Sequence, residues 1–253
     1  MTTNGGIRSS CYGWPSFSSA KVGSWLAEGL LASLFPPHCL LCQSATAGLD
    51  ILCQGCLDSL PQLTGARCHR CQEPLADPGA DLCRTCGTQN RGFDLARALG
   101  PYEGSWGRLV CALKYGREKA VARFLASRLA QYVEHEDAFG KVDAITFVPM
   151  TRTELKTRGF NQSLLLAHQF AKLVGVPVRR LMEKGRSTQP QVALSAKERR
   201  RNLHGAFRLL RAGEGSILLV DDIFTTGSTV DECGRLLKNG GYGAVYVLTV
   251  AHS

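Results

Sequence analysis

Apolar residues recur along the chain with two periods, and from about residue 92 onward the two periods alternate. "GFDLARALGPYEG" (Gly92 to Gly104) is extended and partly apolar, the pattern of a strand opening a domain. "WGRLVCALKYG" and "VARFLASRLAQYV" repeat apolar positions at helical spacing. "VDAITFVPM" reads as a buried strand, and "NQSLLLAHQFAKLVG" as a helix that starts at Asn161 and stops on Gly175. "SILLV" predicts another buried strand, followed by a helix from about Thr229 to Lys238 and a closing strand "GAVYVLTVA". Strands that alternate with helices predict an α/β fold built on a parallel sheet.

The first ninety residues follow neither period for long. Residues before about Trp14 are polar and Gly-rich, a composition that cannot bury a core. "WLAEGLLASLF" (Trp25 to Phe35) places Leu26, Leu30, Leu31, Leu34 and Phe35 on one face of a short amphipathic helix. It is too short to cross a membrane and lacks the basic flank and cleavage pattern of a signal peptide, so the chain reads as cytoplasmic with no transmembrane segment. The pattern divides the chain into an N-terminal segment (1–35), a cysteine-rich region (36–90) and an α/β domain (91–253).

Cysteine spacing explains the middle region. Eight of the 11 cysteines form four CxxC pairs: Cys39/Cys42, Cys53/Cys56, Cys68/Cys71 and Cys83/Cys86. Two thiolates three positions apart can share one metal ion, and a second such knuckle completes a tetrahedron. In a cytosolic chain, four knuckles predict two structural zinc sites rather than a disulfide framework. Pairing in sequence order would give a double zinc ribbon, and is preferred; interleaved pairing would give a cross-braced finger. Zinc substitutes for the core that this loop-rich region lacks. Cys11, Cys111 and Cys233 have no partner at ligand spacing and read as ordinary thiols.

Charge is concentrated elsewhere. The net charge is +9, yet Arg152 to Arg211 alone holds 14 Lys+Arg against 3 Asp+Glu, so this segment carries the whole excess. A one-sided excess of that size favours an anionic ligand or nucleic acid over a merely solvated surface.

The chemistry centres on "ILLVDDIFTTGST" (Ile217 to Thr229). Here a buried strand runs into two aspartates, then into a loop of hydroxyls and one glycine, then into a helix. Open α/β sheets bind ligands at the carboxyl ends of their strands. Thr225, Thr226, Gly227, Ser228 and Thr229 supply backbone N–H groups, hydroxyls and a helix start, a cradle for a phosphate. The ATP-binding GxxxxGK[ST] pattern and the dinucleotide GxGxxG pattern are both missing. Asp221 and Asp222 sit where a sugar attached to that phosphate would lie, and ionised carboxylates accept hydrogen bonds from vicinal hydroxyls.

This stretch resembles the thirteen-residue signature of type I phosphoribosyltransferases, which bind phosphoribosyl pyrophosphate (PRPP). With the four CxxC pairs, "YEG", "LKYG", "RGFNQS", an Arg-x-Thr-x-x-Gln segment (Arg186, Thr188, Gln191) and "RRRNLHGAF", the chain resembles the ComF family of competence proteins and GntX-like relatives. The likeness runs from about Trp25 to the C-terminus. It implies a type I phosphoribosyltransferase fold behind a small zinc-ribbon domain. It also implies that Asp221 and Asp222 hold the ribose hydroxyls and that Thr225 to Thr229 hold the 5′-phosphate. A pyrophosphate loop then falls near Met150, Thr151 and Arg152, with Arg158, Arg186, Arg199 and Arg201 lining or covering the anion. Magnesium would accompany PRPP. Single-stranded DNA and a competence helicase are the partners the resemblance implies. Three roles follow: a phosphoribosyltransferase of unknown acceptor, a protein handling imported single-stranded DNA or salvaging nucleotides, and a non-catalytic PRPP sensor or DNA-binding adaptor.

Overall fold

The computed structural model describes residues 37–46, 50–115, 119–136, 138–185 and 205–253. The Trp25–Phe35 segment and Arg186, Thr188, Gln191, Arg199 and Arg201 lie outside the described residues. Two short helices, α1 (Gln54–Asp58) and α2 (Arg84–Thr88), begin at the second and fourth cysteine knuckles. The α/β part then runs β1 (Leu95–Pro101), α3 (Ser105–Tyr115), α4 (Lys119–Glu134), β2 (Ala144–Phe147), α5 (Arg152–Arg158) and α6 (Gln162–Val174). After these come β3 (Met182–Lys184), β4 (Phe207–Leu209), β5 (Ser216–Phe224), α7 (Ser228–Asn239) and β6 (Ala244–His252).

Four strands make one sheet in the order β1-β6-β5-β2, and every pair in it is parallel. This is the parallel α/β architecture that the alternating periods predict. β5 and β6 are the inner strands, which is why they read as nearly continuous apolar runs. β3 and β4 form a separate antiparallel ribbon.

The two faces of the sheet bury two cores. Along β5, Leu218 and Val220 join one cluster while Ile217 and Leu219 join the other, as the two-residue period of a strand requires. On β6, Leu248 and Val250 divide from Val245 and Val247 in the same way. The first core is closed by α3, α4 and α6 through Leu109, Leu113, Leu125, Leu129, Leu166 and Phe170. The second is closed by Val230, Cys233 and Leu237 of α7 and by Met182 and Phe207 of the ribbon.

The cysteine knuckles are built into these cores. Cys39, with Leu40, Leu41 and Leu52, packs into the first core; Cys68, Cys71, Cys83 and Cys86 pack into the second. Where the chain leaves the last knuckle, Gly92 and Gly234 let the linker and α7 touch backbone to backbone. A Cβ on Gly234 would meet the Gly92 carbonyl oxygen at 2.4 Å. Cys233 is a buried free thiol as expected, whereas Cys111 is buried and disulfide-bonded rather than an ordinary thiol. No helix among the described residues is long and apolar enough to cross a membrane.

Candidate functional site

β5 carries the acid pair. The strand continues two residues beyond it, so Asp221 and Asp222 lie inside the ladder near its carboxyl end, with Asp221 opposite Thr249 of β6. Both are almost fully buried, at 8% and 5% exposure, which for carboxylates demands partners. Ser163 Oγ, in the first turn of α6, donates to Asp221 Oδ1 at 2.7 Å. Lys114, near the end of α3, places Nζ 2.7 Å from Asp222 Oδ2.

These surroundings separate the two acids. Burial, reinforced by the charge of Asp222, pushes Asp221 up to about 7. Burial alone would lower Lys114, but the charge and hydrogen bond of Asp222 together with the charge of Asp221 outweigh it, and the ammonium is held above its ordinary range. Asp222 is therefore the acid with a fixed countercharge, and Asp221 is the acid that a proton or a donor must satisfy. A carboxyl whose pKa rises on folding binds its proton more tightly when folded. Its contribution to stability is therefore full below about pH 4 and is lost as pH rises toward 7.

The loop beyond the pair turns on Gly227, at φ 70° and ψ 5°, a left-handed conformation that glycine adopts without strain. A side chain there would also strike the Phe224 ring, since a Cβ on Gly227 would stand 2.4 Å from it. Gly227 is the N-cap of α7 and supplies no side-chain acceptor to the first turn, where Ser228 N donates to Thr226 Oγ1 in a long contact of 3.4 Å. Thr226 Oγ1 and Ser228 Oγ lie 2.8 Å apart, and Thr225 and Thr229 are half-buried beside them.

A cavity of roughly 390 Å³ opens over the acid pair, bounded by Met150, Thr153, Glu154, Arg158, Gln162 and Lys184 as well as by Asp221 and Asp222. The structure thus brings Met150 and Arg158 to the acids. Thr151 is buried and caps α5: its hydroxyl accepts from Glu154 N at 3.1 Å, while its own N–H donates to Glu154 Oε2 at 2.7 Å. Arg152 is exposed on the first turn of α5 and is not among the described walls of the cavity, nor are Thr225 to Thr229. Arg158 is steered by Gln162 Oε1 at 2.8 Å and by the ring of Tyr115, 6.0 Å from its guanidinium carbon.

Four site residues escape a reading of the sequence: Lys114, Ser163, Glu154 and Lys184. Lys184 Nζ sits 2.6 Å from Glu154 Oε1, and that contact with the Thr151 N–H holds Glu154 below its ordinary range despite burial. Glu154 left a local signal, the T-x-x-E of a capping box, while Lys114 and Ser163 fall inside the "LKYG" and "RGFNQS" motifs, which do not show what they touch. Lys114 stands at the end of an otherwise apolar helix stretch, and nothing near it in sequence names Asp222. Gln162, which reads as a solvent-facing helix residue, is buried against Arg158, while Asn161 caps α6 as its position predicts.

The eight knuckle cysteines gather into two groups in sequence order, Cys39/Cys42/Cys53/Cys56 and Cys68/Cys71/Cys83/Cys86, with the sulfurs of each group within 4.8 Å of one another. Cys42 and Cys53 sulfurs lie 3.5 Å apart, and Cys71 and Cys83 sulfurs 3.7 Å. Tetrahedral zinc, with bonds of about 2.3 Å, sets its sulfurs about 3.8 Å apart, so both tetrads fit it. Without a cation the thiols compete for charge. The hydroxyl of Ser44 helps draw Cys42 down to about 6, and the hydrogen bond shared with Cys42 pushes Cys56 up to about 12. Four sulfur ligands leave no open position, which is the composition of a structural site.

The double zinc ribbon domain model matches residues 30–87. The chain is 33% identical over 218 residues to the DNA utilization protein YhgH of Salmonella typhimurium, covering 84% of this chain and 95% of that one. It is 29% identical over 237 residues to competence protein F of Haemophilus influenzae, covering 88% and 100%. Among solved structures, the glutamine PRPP amidotransferase of B. subtilis overlaps 55% of this chain at 20% identity. The TM-score is 0.38 and the chain spans 30% of that structure's length, a likeness too loose to argue from.

A parallel α/β core with an acid pair before a hydroxyl-rich loop, behind two cysteine tetrads, defines an α/β protein with a double zinc ribbon. The chain belongs to the ComF family, the family of competence protein F and YhgH.

The pairing of Lys114 with Asp222 and the two tetrads can each be tested. Lys114→Met strands Asp222 as a buried unpaired charge and should cost about 3 kcal/mol in urea unfolding. Adding Asp222→Asn should return most of that loss, and additive losses in the double variant would refute the pairing. Metal analysis of the purified chain should find two zinc ions. Serine at Cys68 or Cys71 should release one of them; retention of both would contradict the second tetrad.

Proposed function

We propose that the cleft over Asp221 and Asp222 binds PRPP together with magnesium, and that the protein serves the handling of single-stranded DNA in the cytoplasm. One observation carries the first half. The acid pair, its two unlike environments and the glycine-turned loop into α7 occupy one strand–loop–helix unit, with the acids open to a cavity. Vicinal hydroxyls of a ribose would donate to the two carboxylates. A 5′-phosphate would take the N–H groups and hydroxyls of Thr225 to Thr229.

Pyrophosphate would lie toward Met150 and the first turn of α5. There Arg158 is the described arginine on the cavity wall, with Lys184 beside it, and Arg152, Arg199 and Arg201 remain candidates from the sequence. Glu154 occupies the Thr151 N–H and is paired with Lys184, so Thr151 serves this wall by fixing the start of α5. Magnesium would be bound mainly by pyrophosphate and ribose oxygens and water; it would screen the leaving group's charge if a nitrogen nucleophile displaced it from the anomeric carbon. Positioning and electrostatic stabilisation would supply the catalysis.

The second half rests on the relatives, named for DNA utilization and competence. It also rests on the strong local excess of basic residues between Arg152 and Arg211.

Asp221→Asn combined with Asp222→Asn removes both carboxylates while keeping size. Calorimetry with magnesium and PRPP should show affinity at least about tenfold weaker, the loss expected for two charge-assisted hydrogen bonds. Unchanged affinity in a variant with native circular dichroism would refute the ribose assignment.

A further inference from the structure

The second cysteine tetrad and the Thr225–Thr229 loop are far apart in sequence, yet a buried side chain just after the tetrad reaches the loop. Arg91 lies in the linker between Cys86 and β1 and is 6% exposed. Its Nη2 donates to the carbonyl oxygen of Thr226 at 3.3 Å, inside the loop. Its Nη1 stands 3.8 Å from Asp231 Oδ2, on the first turns of α7 just beyond the loop. The guanidinium also lies 5.4 Å from the Phe93 ring centre.

The neighbours of Arg91 lock this arrangement. Gly92 N donates to Asp231 Oδ1 at 2.6 Å, so the same carboxylate holds the linker backbone and faces the arginine. Phe93 meets Phe224 edge-on at 6.0 Å, and Phe224 stacks on His252 at 4.9 Å. His252 Nε2 in turn lies 3.0 Å from the carbonyl oxygen of Cys71. A chain of contacts therefore runs from the second tetrad through Cys71 and His252 to Phe224, and Arg91 reaches Thr226 from the linker that leaves the same tetrad. The first tetrad packs into the other core.

A buried arginine is costly unless its donors are used; this one spends Nη2 on a loop carbonyl and turns Nη1 toward an acid, while Nε has no partner among the described residues. Pulling the Thr226 carbonyl toward Arg91 turns that peptide's oxygen away from any anion in the cradle. A carbonyl aimed at a phosphate would repel it.

We propose that Arg91 is a positioning residue that fixes the anion loop by holding the Thr226 carbonyl, from a linker that Asp231 clamps to α7 through Gly92 N. The ligand consequence rests on the reading of this loop as a phosphate cradle; the structural claim does not. Lysine at 91 separates the two roles a buried cation can have. It would still neutralise Asp231, but it lacks the planar fork that reaches two acceptors at once.

The test is amide hydrogen exchange on the full-length protein as wild type, Arg91→Gln and Arg91→Lys, with zinc content measured on each. In both variants amides 226–229 should exchange roughly tenfold faster, the effect of losing one buried hydrogen bond from a charged group. Strand β6 amides should be unchanged in Arg91→Lys, which keeps the fold if Arg91→Gln does not. Loop exchange equal to wild type in Arg91→Lys would mean that charge alone suffices and would overturn the proposal. PRPP titration is a separate arm: affinity should fall about tenfold in Arg91→Lys, the same loss in equilibrium terms. Absence of PRPP binding to wild type would refute the function proposed for the cleft, while loop exchange would still decide the role of Arg91.

Discussion

Two carboxylates buried side by side on an inner strand are the constraint that the rest of the site answers to. Neighbouring acids in a low-dielectric interior cannot both ionise without cost. The fold meets this by giving them different side-chain partners: a cation to Asp222, and a hydroxyl to Asp221. Lys114 comes from α3 and Ser163 from α6, so the register of two helices against β5 is tied to the electrostatics of one dipeptide. A plain α/β core would place apolar residues there. The acids persist at an energetic cost, and such costs concentrate where a ligand supplies what the protein leaves out.

The ribbons contribute more than stability to the N-terminal region. Their cysteines sit in separate cores on the two faces of the sheet, so each tetrad braces a different set of helices. The second lies beside the linker that packs on α7, where Gly92 and Gly234 bring the two backbones together. Metal bound there would share its rigidity with the start of α7. A structural metal can in this way bear on a ligand site that contains none of its ligands.

Much of this was legible in the sequence because its determinants are local. Period-two and period-3.6 patterns gave the strands and helices of the α/β part; CxxC spacing gave both tetrads. The dipeptide at 221–222 with the loop after it gave the candidate site. Strand ends were less legible: β5 runs through Ile223 and Phe224 because both pair with β6, a partner more than twenty residues away. Least legible were Lys114, Ser163, Lys184 and Arg91, whose meaning lies wholly in what they touch across the fold. Glu154 shows the boundary between the two cases. Its capping box with Thr151 is a local pattern, whereas its pairing with Lys184 is not.

The central claim is that burial keeps Asp221 as an acid awaiting donors while Lys114 is paired with Asp222. Carbon-13 titration of the aspartate carboxyls reads this directly, in the free protein and with magnesium and PRPP. The free protein should show Asp221 titrating at about 7, and the ligand should lower that value, because ribose hydroxyls bonded to the carboxylate favour its charged form. An Asp221 that titrates in the ordinary carboxylate range and does not move when PRPP is added would contradict the account.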